Sequence, residues 1–311
     1  MENNKTSDRR DFLKKSVAGA AGVAFLTQID KGKSSTGDIK PQTPLLLSAC
    51  CSSFGKATTK VEAVEAAYKS GLDGISMRFI YDLNNPDALR HKNVQIKFRD
   101  ACMQYGVQIN SLLVGGLVKS DPNAIVWVMD SILCARNLGA KVILLALLRN
   151  GFPATDEEYK RVIALFKELG PKAAEEGIVF GLECSGSVQD QLRIIEGVNH
   201  PSVKIYYDYF NAMHFGFDPL KEIPVLGNNV CEIHVKNGPK LMREDLKGTP
   251  RSGSSAGEKY PELNHPEIAK AIQKIGYKGW LTFETSSPSG DNIADMKDNV
   301  EYSRNVFNIL L

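Results

Sequence analysis

The chain has 311 residues, 43% of them hydrophobic and 24% charged, with a formal net charge of +2 at pH 7. This length fits a single α/β barrel, and the apolar share suffices for a large core. So small a charge gives no electrostatic basis for nucleic acid or an anionic membrane as a partner.

The N-terminus reads SDRRDFLKKSVAGAAGVAFLTQ, with basic residues ahead of an apolar run from Val17 to Leu26. That run is too short and too rich in Gly and Ala to span a bilayer. Arg9 and Arg10, followed by Phe12, Leu13 and Lys14, resemble a twin-arginine export signal, although Asp8 replaces the small hydroxyl residue usual before the arginines. The resemblance implies an export signal over residues 1–30, a periplasmic location and no stable membrane insertion after processing. A polar linker, KGKSSTGDIKPQT, follows over 31–43, and one catalytic domain is expected over 44–311. The six cysteines show neither zinc-knuckle nor disulfide-framework spacing. Reduced, buried thiols are expected, as suits cargo folded before export.

LLLSAC reads as the first strand of that domain. From there one unit recurs: a helical pattern ends at Gly, a short apolar run follows, and the run ends in small or polar residues. The junctions are SGLDGISMRF, YGVQINSLLV, LGAKVILLALL, EGIVFGLECSG, LGNNVCEIHVK and IGYKGWLTFETSS, with VKIYYDYF following VNHPS as strand six. Gly suits the position just past a helix, which often needs a left-handed backbone. Helical periodicity fills the intervals, as in TKVEAVEAAYKSG, DPNAIVWVMDSILCARNLG and DEEYKRVIALFKELGPKAAEEG. Eight strands alternating with helices imply parallel pairing and closure into a (β/α)8 TIM barrel. A doubly wound open sheet would carry a Gly-rich dinucleotide turn, and no G-x-G-x-x-G follows the first strand.

Active sites of such barrels lie at the C-terminal strand ends. Strand five ends in Glu183, strand six in Asp208, strand seven in His234 and strand eight in Glu284. Side chains alternate along a strand. In CEIHVKNG, Ile233 and Val235 therefore face the helices, while Glu232, His234 and Lys236 face the barrel interior or its mouth. Two residues below the four strand-end groups, at the same parity, stand Gly181, Tyr206, Glu232 and Thr282. Four ionisable groups converging in one mouth repel each other and suffer desolvation unless a cation holds them. Three carboxylates and one imidazole suit a single divalent ion, Mn²⁺ first, then Co²⁺, Zn²⁺ or Mg²⁺.

The motifs GLE, YYDYFNA, IHVKNG and GYKGWLTFET, with the strand order, resemble the xylose isomerase-like TIM barrels of the sugar phosphate isomerase/epimerase family over about residues 45–311. In that family the matching Glu, Asp, His and Glu bind one divalent metal, and the two glutamates serve as acid and base. The resemblance therefore implies Glu183, Asp208, His234 and Glu284 as metal ligands, with Glu183 and Glu284 as the catalytic proton carriers. Asn237 departs from the Asp usual after the Lys, and the long stretch from Asn237 to Ile268 only loosely matches the family's shorter loop before helix seven.

The chemistry such a site supports is proton abstraction next to a carbonyl, through an enediolate-like state that a metal stabilises. Return of the proton to the opposite face gives epimerisation, and return to the neighbouring carbon gives isomerisation. The expected function is metal-dependent isomerisation or epimerisation of a sugar or keto-sugar, the expected small-molecule partner. A keto-glycoside β-elimination lyase uses the same first step and is the nearest alternative. An endonuclease-like phosphodiesterase with several zinc ions and a noncatalytic sugar-binding barrel are alternatives of other classes; five histidines with one at a strand end weigh against the nuclease. A homo-oligomer stays open.

Further candidates for substrate contact surround the expected mouth. They are Phe54 after strand one, Arg78 and Arg149 ending strands two and four, His214 six residues past Asp208, and Lys236 two past His234. Glu232 is expected beneath the metal or against a buried cation. Trp127 and Trp280 are expected to pack in the core, His91 and His200 to be structural or surface residues, and His265 to mark a helix entry with Pro266 in its first turn.

Overall fold

The structure is a computed structural model describing residues 45–57, 59–80, 84–116, 124–236, 264–287 and 289–307. The export signal expected over 1–30, the linker over 31–43, and the segment from Asn237 to residue 263 lie outside these residues.

Eight strands form a closed barrel in sequence order, every pairing parallel, with β8 returning onto β1. They are β1 (Leu46–Cys50), β2 (Gly74–Arg78), β3 (Gln108–Gly116), β4 (Val142–Leu147), β5 (Val179–Cys184), β6 (Val203–Asp208), β7 (Val230–Val235) and β8 (Trp280–Phe283). The surrounding helices are α1 (Glu62–Lys69), α2 (Lys92–Tyr105), α3 (Ala124–Leu138), α4 (Asp156–Glu175), α5 (Val188–Val198), α6 (Tyr209–His214), α7 (Pro219–Leu226), α8 (His265–Lys274) and α9 (Asn292–Val306). None among the described residues is long and apolar enough to cross a membrane.

Local chemistry sets the element boundaries near the site. Thr155 with Glu158 and Ser187 with Asp190 form capping boxes that start α4 and α5. The eighth strand is shorter than WLTFETSS suggests and stops at Phe283. The ladder nevertheless continues one bond further, with the Glu284 N–H donating to the Val235 carbonyl.

One face of each strand carries the core. Leu47, Ile75, Ile143, Leu182, Ile205, Ile233 and Leu281 are wholly buried in the layer shared with the helices. Burial of this kind contributes about 1.5–3 kcal/mol per large aliphatic side chain. The barrel interior is split. Val142, Leu144 and Tyr206 form a separate apolar cluster, while Ser48, Ser76, Asn110, Ser111, Glu232 and Thr282 are buried polar groups. Barrels of this type are ordinarily filled with branched aliphatic layers, so this chain keeps a hydrogen-bonded shaft beneath its mouth. Gly181 makes room for it: a Cβ there would lie 2.9 Å from Cys231 Sγ and 3.0 Å from Tyr206 Cβ. All six cysteines are free, with Cys50, Cys51 and Cys134 buried.

Candidate active site

Parallel register sets the four strand ends side by side. Asp208 is paired with His234 across β6 and β7, and Glu183 with Ala146 across β5 and β4. Asp208 also starts α6: its Oδ1 accepts the Asn211 N–H at 2.8 Å, which leaves Oδ2 to face the mouth. His234 Nδ1 lies 3.4 Å from Glu284 Oε2, 3.6 Å from Glu183 Oε1 and 3.7 Å from Asp208 Oδ2. One donor atom from each of the four residues falls within 4.8 Å of all the others.

These separations fit a cation. Ligand bonds of about 2.1 Å hold neighbouring donor atoms roughly 3.0–3.5 Å apart. The three carboxylate distances to Nδ1 exceed the usual hydrogen-bond length, and among the described residues the buried Nδ1 has no hydrogen-bond partner. A buried nitrogen left without a bond carries a desolvation cost. A metal ion in contact with it removes that cost and also screens three carboxylates from one another. This buried carboxylate and imidazole cluster is able to hold a metal ion.

Burial and neighbouring charge set the protonation of these groups. Burial pushes the Glu183 carboxyl up, with His234 partly offsetting it. Burial also opposes ionisation of Asp208, yet the Lys236 ammonium and His234 outweigh it and hold that carboxyl below the usual range. For His234 burial acts downward, and the Cys50 sulfur with Glu284 and Asp208 overcome it, so the ring is held above its ordinary range. Lys236 stays charged, because Asp208, Glu284 and Glu183 outweigh its burial.

Lys236, among the expected substrate contacts, joins the cluster directly. Its Nζ lies 2.6 Å from Asp208 Oδ2 and 3.2 Å from Glu284 Oε2, and donates to Asn211 Oδ1 at 3.0 Å. Asn211 is a residue the sequence reading missed. Its Nδ2 donates to Glu183 Oε1 at 2.7 Å, so one amide ties Glu183 to Lys236. The signal was present: an Asp that ends a strand and caps the next helix places the residue three further on against its own carboxylate. Cys50, also missed, ends β1 with Sγ 3.5 Å from His234 Nε2.

Beneath the cluster Glu232 is wholly buried. Its Oε1 accepts from Tyr206 OH and Asn110 Nδ2, each at 2.6 Å, from Ser111 Oγ at 3.0 Å, and from the Thr282 hydroxyl. Tyr206 in turn lies against the His234 ring, with centroids 4.5 Å apart.

The other candidates stand apart from this cluster in different ways. Phe54 is a correction: the turn after β1 directs it into the core, where it is 4% exposed and offers no ring face to a sugar. Arg78 is exposed at the end of β2, beside a small cleft lined by Thr59, Ile80, Asn85 and Asp87. Arg149 is exposed after β4 in a left-handed conformation (φ 51°), its N–H donating to Ser185 Oγ at 2.8 Å. His214 ends α6, half-buried against Phe215. His91 bonds the Asn85 carbonyl and His200 accepts the Ser202 N–H, both as local structural contacts.

His265 opens α8, buried edge-on to Tyr209 and Tyr302 and hydrogen-bonded to the Lys236 backbone. Burial pushes its imidazole down to about 4 despite that bond. An unfolded chain takes up this proton near pH 6.5 and the folded one only near 4. Its share of stability is therefore intact above pH 6.5 and is lost as the pH falls between those values. From pH 7 to pH 5 the loss is about 2 kcal/mol. Urea unfolding of His265→Gln at both pH values is expected to lack that share; the same pH slope as wild type would contradict it.

Comparisons with known proteins agree with this architecture. The sequence matches the family described as xylose isomerase-like TIM barrel over residues 64–306. No curated protein matches it by sequence. Among solved structures, a xylose isomerase domain protein from Planctomyces limnophilus superposes with a TM-score of 0.66 at 19% identity, covering 86% of this chain and 100% of that one. A D-allulose 3-epimerase from Methylomonas sp., in complex with D-allulose, gives 0.65 at 16% identity, covering 85% and 98%. A 3-keto-D-glucoside 4-epimerase from E. coli gives 0.66 at 14% identity, covering 84% and 99%. At these identities the likeness is one of fold. The sequence match spans most of the barrel and all four strand ends, and on that ground the chain belongs to the xylose isomerase-like TIM barrel family.

Proposed function

We propose that this protein is a divalent-metal-dependent isomerase or epimerase of a sugar or keto-sugar. The observation that carries the reading is the meeting of Glu183, Asp208, His234 and Glu284 around one point, where the buried Nδ1 of His234 has no hydrogen-bond partner among the described residues. Superposition on a D-allulose 3-epimerase and a 3-keto-D-glucoside 4-epimerase supports the substrate class. The oxygen-rich donor set favours Mn²⁺, with Co²⁺, Zn²⁺ or Mg²⁺ as substitutes.

The chemistry a bound divalent ion supplies is Lewis-acid polarisation of the carbonyl beside the C–H bond that breaks. Glu284, 39% exposed at the mouth, removes the proton at a carboxylate oxygen. Glu183, buried at the end of β5, delivers a proton to the other face. Asn211 keeps Glu183 in place through Oε1. The Lys236 ammonium supplies fixed positive charge where negative charge develops on the substrate oxygens.

Incubation with neutral ketoses and keto-glycosides in heavy water, with Mn²⁺ present and NMR readout, tests the reaction. One solvent deuteron should enter next to the carbonyl as the stereocentre inverts or the carbonyl moves. Loss of the aglycone together with exchange would assign the lyase instead. A metal-loaded protein that exchanges nothing across the panel overturns the proposal in favour of a binding barrel.

Metal dependence has its own expected outcome. An ion present at 100 times its dissociation constant stabilises the fold by about 2.7 kcal/mol. For a barrel of this size that corresponds to a rise in Tm of roughly 5–10 °C. The rise should be absent in His234→Gln, and metal analysis of wild type should give about one ion per chain.

A further inference from the structure

The His234 ring is held on three sides. Nδ1 faces the three carboxylates, one ring face meets Tyr206, and Nε2 points at Cys50 Sγ, 3.5 Å away. An imidazole can offer a lone pair at Nδ1 only when its single proton is on Nε2, and a buried N–H needs an acceptor. Cys50 is the acceptor in reach. It is 4% exposed and ends β1 opposite Ser76 of β2, with its sulfur lone pairs in reach of Nε2.

We infer that Cys50 is a positioning residue: its sulfur accepts the Nε2–H of His234, which selects the tautomer and aims the Nδ1 lone pair at the cation position. This rests on the metal-centre reading above. Metal-binding histidines commonly donate their second N–H to a carboxylate or carbonyl, which adds electron density to the ring. A thiol is a weak acceptor and adds no charge. The cysteine that follows LLLSA thus meets the edge of the His234 ring away from the carboxylates.

Three variants of the full chain separate this role from packing. Cys50→Ala removes the acceptor, Cys50→Val removes it while filling the space, and Cys50→Ser keeps an acceptor in a smaller side chain. The readout is the Mn²⁺ dissociation constant from chelator competition, with urea unfolding in excess chelator as the measure of metal-free folding. Loss of an outer partner of a metal-binding histidine typically costs 10–100-fold in metal affinity, and a weak acceptor belongs at the lower end. About tenfold weaker Mn²⁺ binding is expected for both Ala and Val, with Ser close to wild type.

Wild-type affinity in Ala and Val, or a loss in Ser equal to theirs, overturns the inference while leaving the metal centre standing. Failure of wild type to bind any divalent ion removes the metal-centre reading itself, a distinguishable result. A sulfur-to-cobalt charge-transfer band in the Co²⁺-loaded protein that vanishes in Cys50→Ser would make Cys50 a direct ligand and also overturn it.

Discussion

Glu284→Gln is expected to cut solvent-deuterium incorporation by about a thousandfold while leaving the barrel folded. The side chain lies at the mouth, 39% exposed, and its described partners are His234 and Lys236. Gln keeps the shape and a coordinating oxygen but cannot accept a proton from carbon. Lys236 retains Asp208 at 2.6 Å and Asn211 at 3.0 Å, so its charge is not stranded by the change. Metal content measured on the same sample, at saturating Mn²⁺, separates lost proton transfer from lost binding. Glu183→Gln should give a comparable loss of exchange. It should also weaken the fold more, because Glu183 is buried and accepts from Asn211. Exchange within tenfold of wild type in the metal-loaded Glu284 variant would remove that residue from the role of base.

The largest stability effect is expected from Glu232→Ala, at roughly 4 kcal/mol of destabilisation. Four donors converge on Glu232 Oε1, and among them the Tyr206, Asn110 and Thr282 groups are wholly or nearly wholly buried. Each buried donor left unpaired costs about 1–3 kcal/mol. Ala also leaves a void where the carboxylate was. Glu232→Gln keeps an oxygen in reach of the same donors and should recover most of the loss. Tyr206 leans on the His234 ring, so the Ala variant should also bind Mn²⁺ more weakly. Denaturant midpoints for the pair decide the matter: an Ala variant within about 1 kcal/mol of wild type would mean the shaft under the mouth is not a cooperative network.

The two expectations draw on different parts of the chain's legibility. Strand-end parity was enough to nominate Glu183, Asp208, His234 and Glu284, because side chains alternate with a period of two and a parallel barrel puts every C-terminal strand end on one side. Lys236 followed from the same parity. Asn211 did not, since it lies on a helix and reaches Glu183 only because α6 begins directly at Asp208. Phe54 looked available for a sugar by its place after β1; the non-helical backbone at Phe54 and Gly55 (φ 68°) accompanies a ring turned into the core instead.

By itself the sequence determined the alternation of strand and helix, the eightfold count, and the four ionisable strand ends. Each is a local pattern of apolar spacing, terminating Gly and parity, readable within one unit. Only the tertiary structure decided which groups touch across the barrel. Cys50 and His234 are 184 residues apart in sequence, and Glu232 gathers donors from β3, β6 and β8. Such contacts depend on the closure and register of the sheet, which place distant strands face to face with no trace in the spacing of any one of them.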